Sequence, residues 1–419
     1  MTDKDFEMTP AAGNGLMDRR MFLGATAAGG ISMLVAQPAA ANRPAWTQTP
    51  GKGMNSYGSP SRFETDVQRV GIGSQAGTVG SGASRTPLEQ LNGVITPSGL
   101  HFERHHNGIP DIDPDQHKLL IHGLVDRPLS FSLETLDRYP MTSRIQFLEC
   151  SGNSGALLSP TPMPRTCAQL HGLVAASEWT GVPLAILLEE AGVKPEARWL
   201  VAEGADAAMM SRSVPLDKAF DDALLALYQN GERIRPSNGY PMRLFLPGWE
   251  GNMSVKWLHR IKVTSEPAMT KDETSKYSDL LSDGTAQLFT FPMGVKSVIT
   301  NPSGGLNMSK PGLYQITGLA WSGAGRINRV EVSADGGKSW AQAALDQPVL
   351  TKNLTRFRTP WRWNGAPATL MSRAVDEHGS VQPTRESLMA GRAKGAFYHY
   401  NAIQAWRVGE NGEVGNVYV

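Results

Sequence analysis

Cysteine is scarce in this chain, which has only two among 419 residues. There is no Cys-x-x-Cys-His sequence, so no c-type haem is expected here, and two cysteines are too few for an iron–sulfur cluster. Neither sign of charge is in excess, because 40 Lys and Arg face 39 Asp and Glu. This balance does not favour binding to nucleic acid or to a membrane surface. The phosphate-binding Gly-x-Gly-x-x-Gly and the Gly-x-Ser-x-Gly elbow of serine hydrolases are also missing.

The N-terminus predicts where the protein works. Residues 18–23 (Asp-Arg-Arg-Met-Phe-Leu) form a twin-arginine pattern, and a mild apolar stretch follows over residues 24–36. That stretch is too short to span a bilayer of about 30 Å. Ala39–Ala41 offers a small-residue cleavage site. We therefore expect a signal peptide over residues 1–41 and export of the folded protein to the periplasm; an uncleaved anchor is the alternative.

The length predicts two domains plus extensions, and the 44 Gly and 28 Pro predict many turns. Residues 42–100 are rich in Gly, Ser and Pro and are expected to form an extended arm. Residues 101–285 alternate strand-like and helical runs, with helical spacing over 216–227 and a polar loop over 271–283. Residues 286–419 show short alternating segments at turn spacing. The predicted fold class is a mixed α+β domain followed by an immunoglobulin-like β-sandwich.

The first of the two cysteines, Cys150, ends the apolar run Phe147–Leu148 and precedes a Ser-Gly-Asn-Ser-Gly turn. A thiolate at a strand end can reach a group bound in a cleft, and it is the soft ligand that redox metals select. A disulfide between Cys150 and Cys167, closing a loop of about 17 residues, is the alternative and would leave no thiolate for a metal. That pairing would suit a non-enzymatic binding protein. Otherwise Cys167 is expected to be a small buried hydrophobe.

Histidine is concentrated in one region, where five of the nine lie between His101 and His122. Residues 101–108 lead into Gly-x-Pro and are expected to form a loop, so the helical spacing of a zinc site does not apply. Arg104 and His106 would suit an anion as well as a metal. A zinc or copper hydrolase built on this cluster is one alternative function.

Two cations flank the glycine-rich turn over residues 247–251. Residues 239–243 end in Arg243, and residues 254–257 contain Lys256. A guanidinium that binds two oxygens and an ammonium that acts as a point charge fit recognition of a phosphate group.

These pieces, taken in chain order, resemble the sulfite oxidase family of molybdenum enzymes over residues 100–419. The segments that carry the resemblance are Phe102-Glu-Arg-His-His106, Cys150-Ser-Gly-Asn153, Gly172–Leu184, Glu203-Gly-Ala-Asp206, Asn238–Arg243, Ser254-Val-Lys-Trp257 and the stretch around Tyr277. The second half resembles the immunoglobulin-like dimerisation domain of the family, which implies a homodimeric core.

The resemblance implies a molybdenum–molybdopterin cofactor, with Cys150 as the metal ligand. It implies Arg104, His106 and Tyr277 as further catalytic residues. The residues that it implies for cofactor binding are Phe102, Arg104, His105, His106, Cys150, Asp206, Asn238, Arg243, Ser254, Val255 and Lys256. The family also uses an arginine from the second domain, for which Arg356, Arg358 and Arg362 are the candidates.

Departures from the family pattern narrow the expected substrate. Ser154-Gly155 stands where typical members carry two arginines, His105 replaces an asparagine, and Asn238 replaces a histidine that contacts the pterin. The loss of basic residues weakens the case for a small dianion. The resemblance then implies a sulfane dehydrogenase that acts on sulfur bound to a carrier protein and passes electrons to a c-type cytochrome subunit. A sulfite:cytochrome c oxidoreductase is the nearest alternative.

Overall fold

A computed structural model describes residues 10–18, 44–74, 77–393 and 395–419. The twin-arginine pair Arg19–Arg20 and the expected cleavage site lie outside the described residues. Within those ranges, no helix combines the length and the apolar character needed to cross a membrane.

Strands make up most of the regular structure. In chain order they are β1 Pro10–Ala12, β2 Leu16–Met17, β3 Val70–Ser74, β4 Gly82–Arg85, β5 Glu103–His105, β6 Lys118–Gly123, β7 Leu129–Ser132, β8 Thr142–Glu149, β9 Val174–Pro183, β10 Trp199–Gly204, β11 Ser211–Pro215, β12 Leu224–Gln229, β13 Glu232–Arg233, β14 Arg243–Phe245, β15 Leu258–Thr264, β16 Asp279–Leu280, β17 Ala286–Gln287, β18 Lys296–Asn301, β19 Gly312–Trp321, β20 Ile327–Ser333, β21 Ala341–Gln342, β22 Ala344–Leu345, β23 Thr355–Trp363, β24 Ala368–Asp376, β25 Ala405–Val408 and β26 Val414–Val417. The short α-helices are α1 Leu133–Leu136, α2 Cys167–His171, α3 Leu184–Ala191, α4 Leu216–Asp221, α5 Lys271–Ser275 and α6 Arg385–Ala390.

Two five-stranded sheets form the first domain. One has the order β11-β10-β15-β6-β7, with β15 and β6 parallel, and the other has the order β13-β12-β9-β8 with β14 beside β12. A core of aliphatic side chains that includes Leu119, Leu188 and Leu244 packs between the sheets and α3. Because β8 is an edge strand of its sheet and ends at Glu149, the chain leaves the sheet at Cys150.

The helix predicted over residues 216–227 is only half correct, because α4 ends at Asp221 and β12 begins at Leu224. The side chains of Leu224–Leu227 are all at most 1% exposed. An apolar run buried on both faces is typical of an internal strand, whereas an amphipathic helix would leave one face in solvent.

The loop predicted over residues 271–283 begins instead with α5. Thr270 and Glu273 form a capping box, in which the Thr270 amide donates to Glu273 Oε2 at 2.9 Å. The Glu273 side chain is fully buried and also accepts from Ser213 Oγ at 3.2 Å, so it fastens the helix to β11. The sequence contains the Thr-x-x-Glu pattern of a helix start, but the polar composition of this segment favoured the prediction of a loop. The Tyr277 amide donates to Asp272 O at 3.0 Å, so this helix positions Tyr277.

The histidine-rich segment is not helical, as predicted, but part of it is the strand β5 rather than a loop. It completes a three-stranded sheet with β3 and β4 from the N-terminal arm, in which Gly82 pairs with His105. Alternation along a strand sends Glu103 and His105 to one face and Arg104 to the other. The arm therefore packs on the first domain and helps to orient Arg104.

The predicted immunoglobulin-like sandwich is confirmed in the second half. One sheet has the order β1-β2-β23-β19-β18 with β22 also beside β23, and the other has the order β21-β20-β24-β25-β26. Trp321, Trp361 and Trp406 are fully buried in the core between the two sheets. With the mixed first domain, this confirms the predicted α+β class. The hairpin of β1 and β2 comes from residues that the sequence assigned to the leader.

Candidate active site

Cys150 lies where β8 ends and a tight turn begins. Its amide donates to Leu173 O at 2.9 Å, and its carbonyl accepts from the Asn153 amide at 2.8 Å. Ser154 completes the turn in the left-handed region with a φ of 66°. Cys150 and Cys167 are both free thiols, so the structure gives no support to the disulfide alternative. Cys167 is fully buried at the start of α2.

The surroundings of the Cys150 thiol keep it protonated until a cation binds. Burial raises the pKa of Cys150, and the Gly152 amide and the Arg104 guanidinium oppose that rise. A metal ion removes the proton from a ligating thiol, so the site suits a metal that brings its own charge.

A cavity opens beside Cys150. The predicted site residues that line it are Phe102, Arg104, His106, Cys150, Asp206, Asn238, Arg243, Ser254, Val255, Lys256 and Tyr277. His105 is the exception among them. Its Nδ1 lies 2.9 Å from Lys256 Nζ and its Nε2 lies 3.2 Å from the Glu103 carboxylate. His105 therefore contacts Lys256 without lining the cavity and helps to position the lysine.

Two cations, the buried Arg243 and the partly buried Lys256, face this cavity. Arg243 is 3% exposed and donates only to the carbonyl oxygens of Asn238 at 2.9 Å and Ser254 at 2.7 Å, and its Nε has no partner within the described residues. Lys256 donates to the carbonyls of Arg104 and Ser237, each at 3.1 Å. Asp206 also lines the cavity, and its charge favours the charged form of Lys256.

Removing these two positive charges from water is unfavourable in free energy unless an anion lies close to them. Burial lowers the pKa of Arg243 to about 9, and burial together with the Arg243 charge lowers the pKa of Lys256 well below its usual value. Buried charges are normally paired, because the loss of hydration is otherwise uncompensated. An anionic group such as the phosphate of a molybdopterin would compensate both cations. The residues present therefore fit that cofactor.

A second, wider cavity of about 560 Å³ meets the first at Cys150. Arg104, His106, Cys150 and Tyr277 line both cavities, so these predicted catalytic residues lie at the junction. The outer walls of the second cavity combine basic and aromatic or apolar side chains. Its main lining residues beyond the junction are Arg85, Gly152, Gly155, Met163, Arg165, Lys276, Phe397 and Tyr398.

Tyr277 and His106 form a neutral hydrogen-bonded pair at the junction, with Tyr277 Oη 2.8 Å from His106 Nε2. Burial, followed by the Arg104 charge, lowers the pKa of His106 to about 3. Burial is also the main reason that the pKa of Tyr277 is raised above its usual value. His106 is therefore neutral at neutral pH, and the tyrosine keeps its proton.

A buried ion pair behind the Cys150 turn was not foreseen from the sequence. Lys296, from β18 of the second domain, lies 3.1 Å from Glu149 Oε1, and both side chains are 1% exposed. Lys296 also donates to Ser154 Oγ at 2.7 Å, and Trp321 Nε1 donates to Glu149 Oε2 at 2.6 Å. Asn153 Nδ2 reaches Glu149 Oε1 at 2.9 Å. The second domain thus fixes the turn that carries Cys150. The only sequence signal for this ion pair was Lys296 itself, a single lysine in an apolar run.

The predicted contribution of a second-domain arginine needs correction, because Arg356, Arg358 and Arg362 line neither cavity. Arg356 donates to the carbonyl oxygens of Gly93 at 3.0 Å and Leu91 at 3.1 Å, and Arg358 Nε pairs with Asp346 Oδ2 at 2.9 Å. These bonds satisfy the arginines within the sandwich and against the arm.

The second domain reaches the site through a different segment, which contains Phe397 and Tyr398. The His399 amide donates to Ser151 O at 2.8 Å and docks this segment on the Cys150 turn. A Cβ on Gly152 would lie 3.0 Å from the Phe397 ring, and one on Gly155 would lie 2.8 Å from Phe397 O. The glycines therefore admit an aromatic wall where larger side chains could not fit.

The histidine cluster does not assemble as a metal site. His117 Nε2 is bonded to Leu258 O at 2.9 Å, and His101 Nδ1 is 2.9 Å from Phe102 O. Among the described residues, no three His, Cys, Asp or Glu side chains are placed to hold a metal ion together. The geometry gives no support to the zinc or copper hydrolase alternative.

Comparison with known proteins agrees with this geometry. Residues 106–271 match the oxidoreductase molybdopterin binding domain, and residues 288–405 match the Mo-co oxidoreductase dimerisation domain. Chicken sulfite oxidase is 30% identical over 69% of this chain and 68% of its own length. Mouse mitochondrial sulfite oxidase is 30% identical over 71% of this chain. The chain spans only 57–59% of the length of the mouse and human sulfite oxidases.

A solved structure matches over a larger share of the chain. It is the crystal structure of the sulfane dehydrogenase SoxCD from Paracoccus pantotrophus, which is 45% identical, with a TM-score of 0.87 over 89% of this chain and 97% of that chain. The fold and site define a molybdopterin-binding oxidoreductase with a dimerisation domain. The chain belongs to the sulfite oxidase family, and the predicted resemblance to a sulfane dehydrogenase within that family is confirmed by its similarity to SoxC.

We expect Lys296→Met to lower the free energy of unfolding by about 3–5 kcal/mol, because it leaves the buried Glu149 carboxylate without its counter-ion. Urea unfolding of the two proteins measures the difference. Lys310→Met, at an exposed lysine of the same domain, is the matched control and should change stability by less than about 0.5 kcal/mol. A Lys296→Met protein as stable as the wild type would contradict this role.

Acid should destabilise the protein through its buried neutral histidines. Burial lowers the pKa of His101 to about 3 in the folded chain, so between the unfolded pKa of about 6.5 and that value only the unfolded chain binds the proton. The free energy of unfolding should therefore fall as the pH falls from about 6.5 toward 3, with His101 contributing up to about 1.4 kcal/mol per pH unit. His101→Phe should reduce that slope, and His378→Phe, at an exposed histidine, should not. Equal slopes in all three proteins would refute the assignment.

Proposed function

We propose that this chain is the molybdenum subunit of a periplasmic sulfane dehydrogenase. It would add oxygen to a sulfane sulfur held on a cysteine of a carrier protein and pass the electrons to a c-type cytochrome subunit. The observation that carries this proposal is the wide second cavity, which reaches Cys150 between a glycine turn and an aromatic wall. The match to the SoxCD structure supports it.

The first cavity would hold the cofactor through the residues that line it. Arg243 and Lys256 would bind the phosphate, while Asp206, Asn238 and Ser254 offer polar groups to the pterin. Cys150 would ligate molybdenum as a thiolate. When bound, the molybdenum group supplies oxygen-atom transfer, in which the sulfur gains an oxygen that comes from water and two electrons and two protons are released.

The junction residues would orient the substrate and stabilise charge on the transferred oxygen. Arg104 contributes a positive charge, and Tyr277 keeps its proton because burial raises its pKa. His106 is neutral and lies 2.8 Å from Tyr277 Oη; with its proton on Nε2 it would donate to Oη and leave the tyrosine hydroxyl proton for the substrate oxygen. His106 and Tyr277 therefore do not have to change their protonation state at neutral pH before the substrate binds.

The shape of the second cavity favours a substrate on an arm over a free anion. A volume of about 560 Å³ exceeds what a four-atom anion needs, and Ser154 and Gly155 leave the turn beside Cys150 without positive charge. Phe397 and Tyr398 form a wall that an extended peptide segment could pack against. Arg85, Arg165 and Lys276 lie further out, where they would attract an anionic sulfur group toward the entrance.

The remaining parts of the proposal concern partners and location. The match to the SoxCD structure supports a second, SoxD-like subunit, which we propose is the c-type cytochrome, and the dimerisation domain supports a homodimeric core. The twin-arginine pattern at residues 18–23 supports export in the folded state.

We expect Cys150→Ser to abolish turnover and leave the fold intact, because an alkoxide is a poor substitute for a soft thiolate ligand. Activity, molybdenum content and the unfolding transition should be measured together. Cys167→Ala is the matched control, since Cys167 lines neither cavity, and it should keep its activity with a stability loss of about 1 kcal/mol. Appreciable turnover by Cys150→Ser would rule out the proposed metal ligand.

Phe397→Ala should lower kcat/KM for carrier-bound sulfane sulfur about 10-fold, because an aromatic contact is worth about 1.4 kcal/mol. Its effect on free sulfite should stay below about 3-fold, since a small anion does not need the wall. Phe63→Ala, at an exposed phenylalanine of the arm, is the control and should match the wild type. A wild-type enzyme that prefers free sulfite to the carrier would favour the sulfite:cytochrome c oxidoreductase instead.

A further inference from the structure

The segment before the twin-arginine pair folds as a hairpin on the second domain. β1 and β2 are joined by Asn14-Gly15, a pair that favours tight hairpin turns, and both residues have positive φ. Leu16 is fully buried and Met17 is 5% exposed. Leu16 pairs with Trp361 of β23 and belongs to the core of the sandwich. A short leader segment therefore contributes to the interior of a domain that begins far along the chain.

The hairpin binds the edge of β23 through its backbone. Trp361 Nε1 donates to Asn14 O at 2.8 Å, and the Arg362 amide donates to Gly15 O at 2.9 Å. A Cβ on Gly15 would lie 2.1 Å from Arg362 O, and the φ of this residue is +84°. Only glycine fits at that position.

The other sheet of the sandwich also holds the hairpin. Asn14 Nδ2 donates to Ala334 O at 2.8 Å, and the Gly13 amide donates to Ser339 Oγ at 2.7 Å. Ala334 and Ser339 lie in the connection between β20 and β21, whereas Trp361 lies in β23 of the facing sheet. The binding site therefore exists only after the two sheets have come together.

The hairpin covers an edge that the domain otherwise leaves open. β19 pairs with one side of β23 along its whole length. On the other side β22 pairs only with Phe357 and Arg358, so among the described residues the hairpin is the only strand beside Trp361 on that side. Open strand edges with large apolar side chains bind further strands, and proteins normally cover them.

We propose that residues 10–17 are a built-in ligand of the folded second domain, so that the leader docks only when that domain is complete. The twin-arginine pair at residues 19–20 follows the docked hairpin directly in the sequence. Docking would thus link a finished sandwich to the export signal, and removal of the leader would uncover the β23 edge. The link to export rests on the proposed periplasmic location, whereas docking itself does not depend on location, metal or activity.

Hydrogen–deuterium exchange of the full-length precursor tests the docking. We expect peptides covering residues 10–18 and 355–363 to exchange at least about 10-fold more slowly in the wild type than in Leu16→Asp or Gly15→Ala. Leu16→Asp places a charge in the core, and Gly15→Ala meets the Arg362 carbonyl. Ala11→Asp, which adds the same charge at an exposed position of the hairpin, is the matched control and should exchange like the wild type.

The protein from which residues 1–41 have been removed gives a second comparison. Peptides over 355–363 should exchange faster in it than in the precursor, while those of β19 should not change. Wild-type hairpin amides that exchange at the rate of an unfolded chain would overturn the docking. Equal export of Leu16→Asp and Ala11→Asp precursors, with docking lost only in the first, would overturn the link to export alone.

Discussion

The buried ion pair between Glu149 and Lys296 is the constraint on which the rest of the site depends. It joins the last residue of β8 in the first domain to the first residue of β18 in the second, and both side chains are out of contact with water. Because an unpaired charge at this depth is strongly unfavourable, the two domains are held in one arrangement. The Ser154 hydroxyl and the Asn153 amide join the same network, so the turn that carries Cys150 is fixed from behind.

The two cations of the first cavity, Arg243 and Lys256, differ from this ion pair. Arg243 is buried, Lys256 is partly buried, and loss of hydration lowers the pKa of each. Glu149 and Lys296 neutralise one another, whereas among the described residues Asp206 is the only carboxylate that favours the charge of Lys256 and none does so for Arg243, so an anion in the first cavity would stabilise both cations. The stability of the chain should therefore be linked to binding of the cofactor. The turn that carries Cys150 lies between the Glu149–Lys296 ion pair and the two cations of the first cavity, Arg243 and Lys256.

The shape of the second cavity depends on small residues as much as on reactive ones. Gly152 and Gly155 leave room for Phe397, and the His399 amide fastens that segment to Ser151. The second domain thus supplies a wall of the cavity as well as a dimerisation surface. A chain with arginines at 154 and 155 would have a narrower and more positive entrance. We interpret this difference as the physical basis for the choice between a free dianion and sulfur on an arm.

The sequence by itself determined the α+β class and the sandwich, and it predicted that Cys150, Arg243 and Lys256 belong to one site, because each depends on a short segment with its own pattern. It misjudged Leu224–Leu227 and Glu273, where burial on both faces and a capping contact decide the structure. Lys296, Phe397 and the hairpin at Asn14-Gly15 could not be assigned, since none carries a local signal for its partner. Their roles exist only after residues more than a hundred positions apart are packed together, and that packing is a property of the tertiary structure.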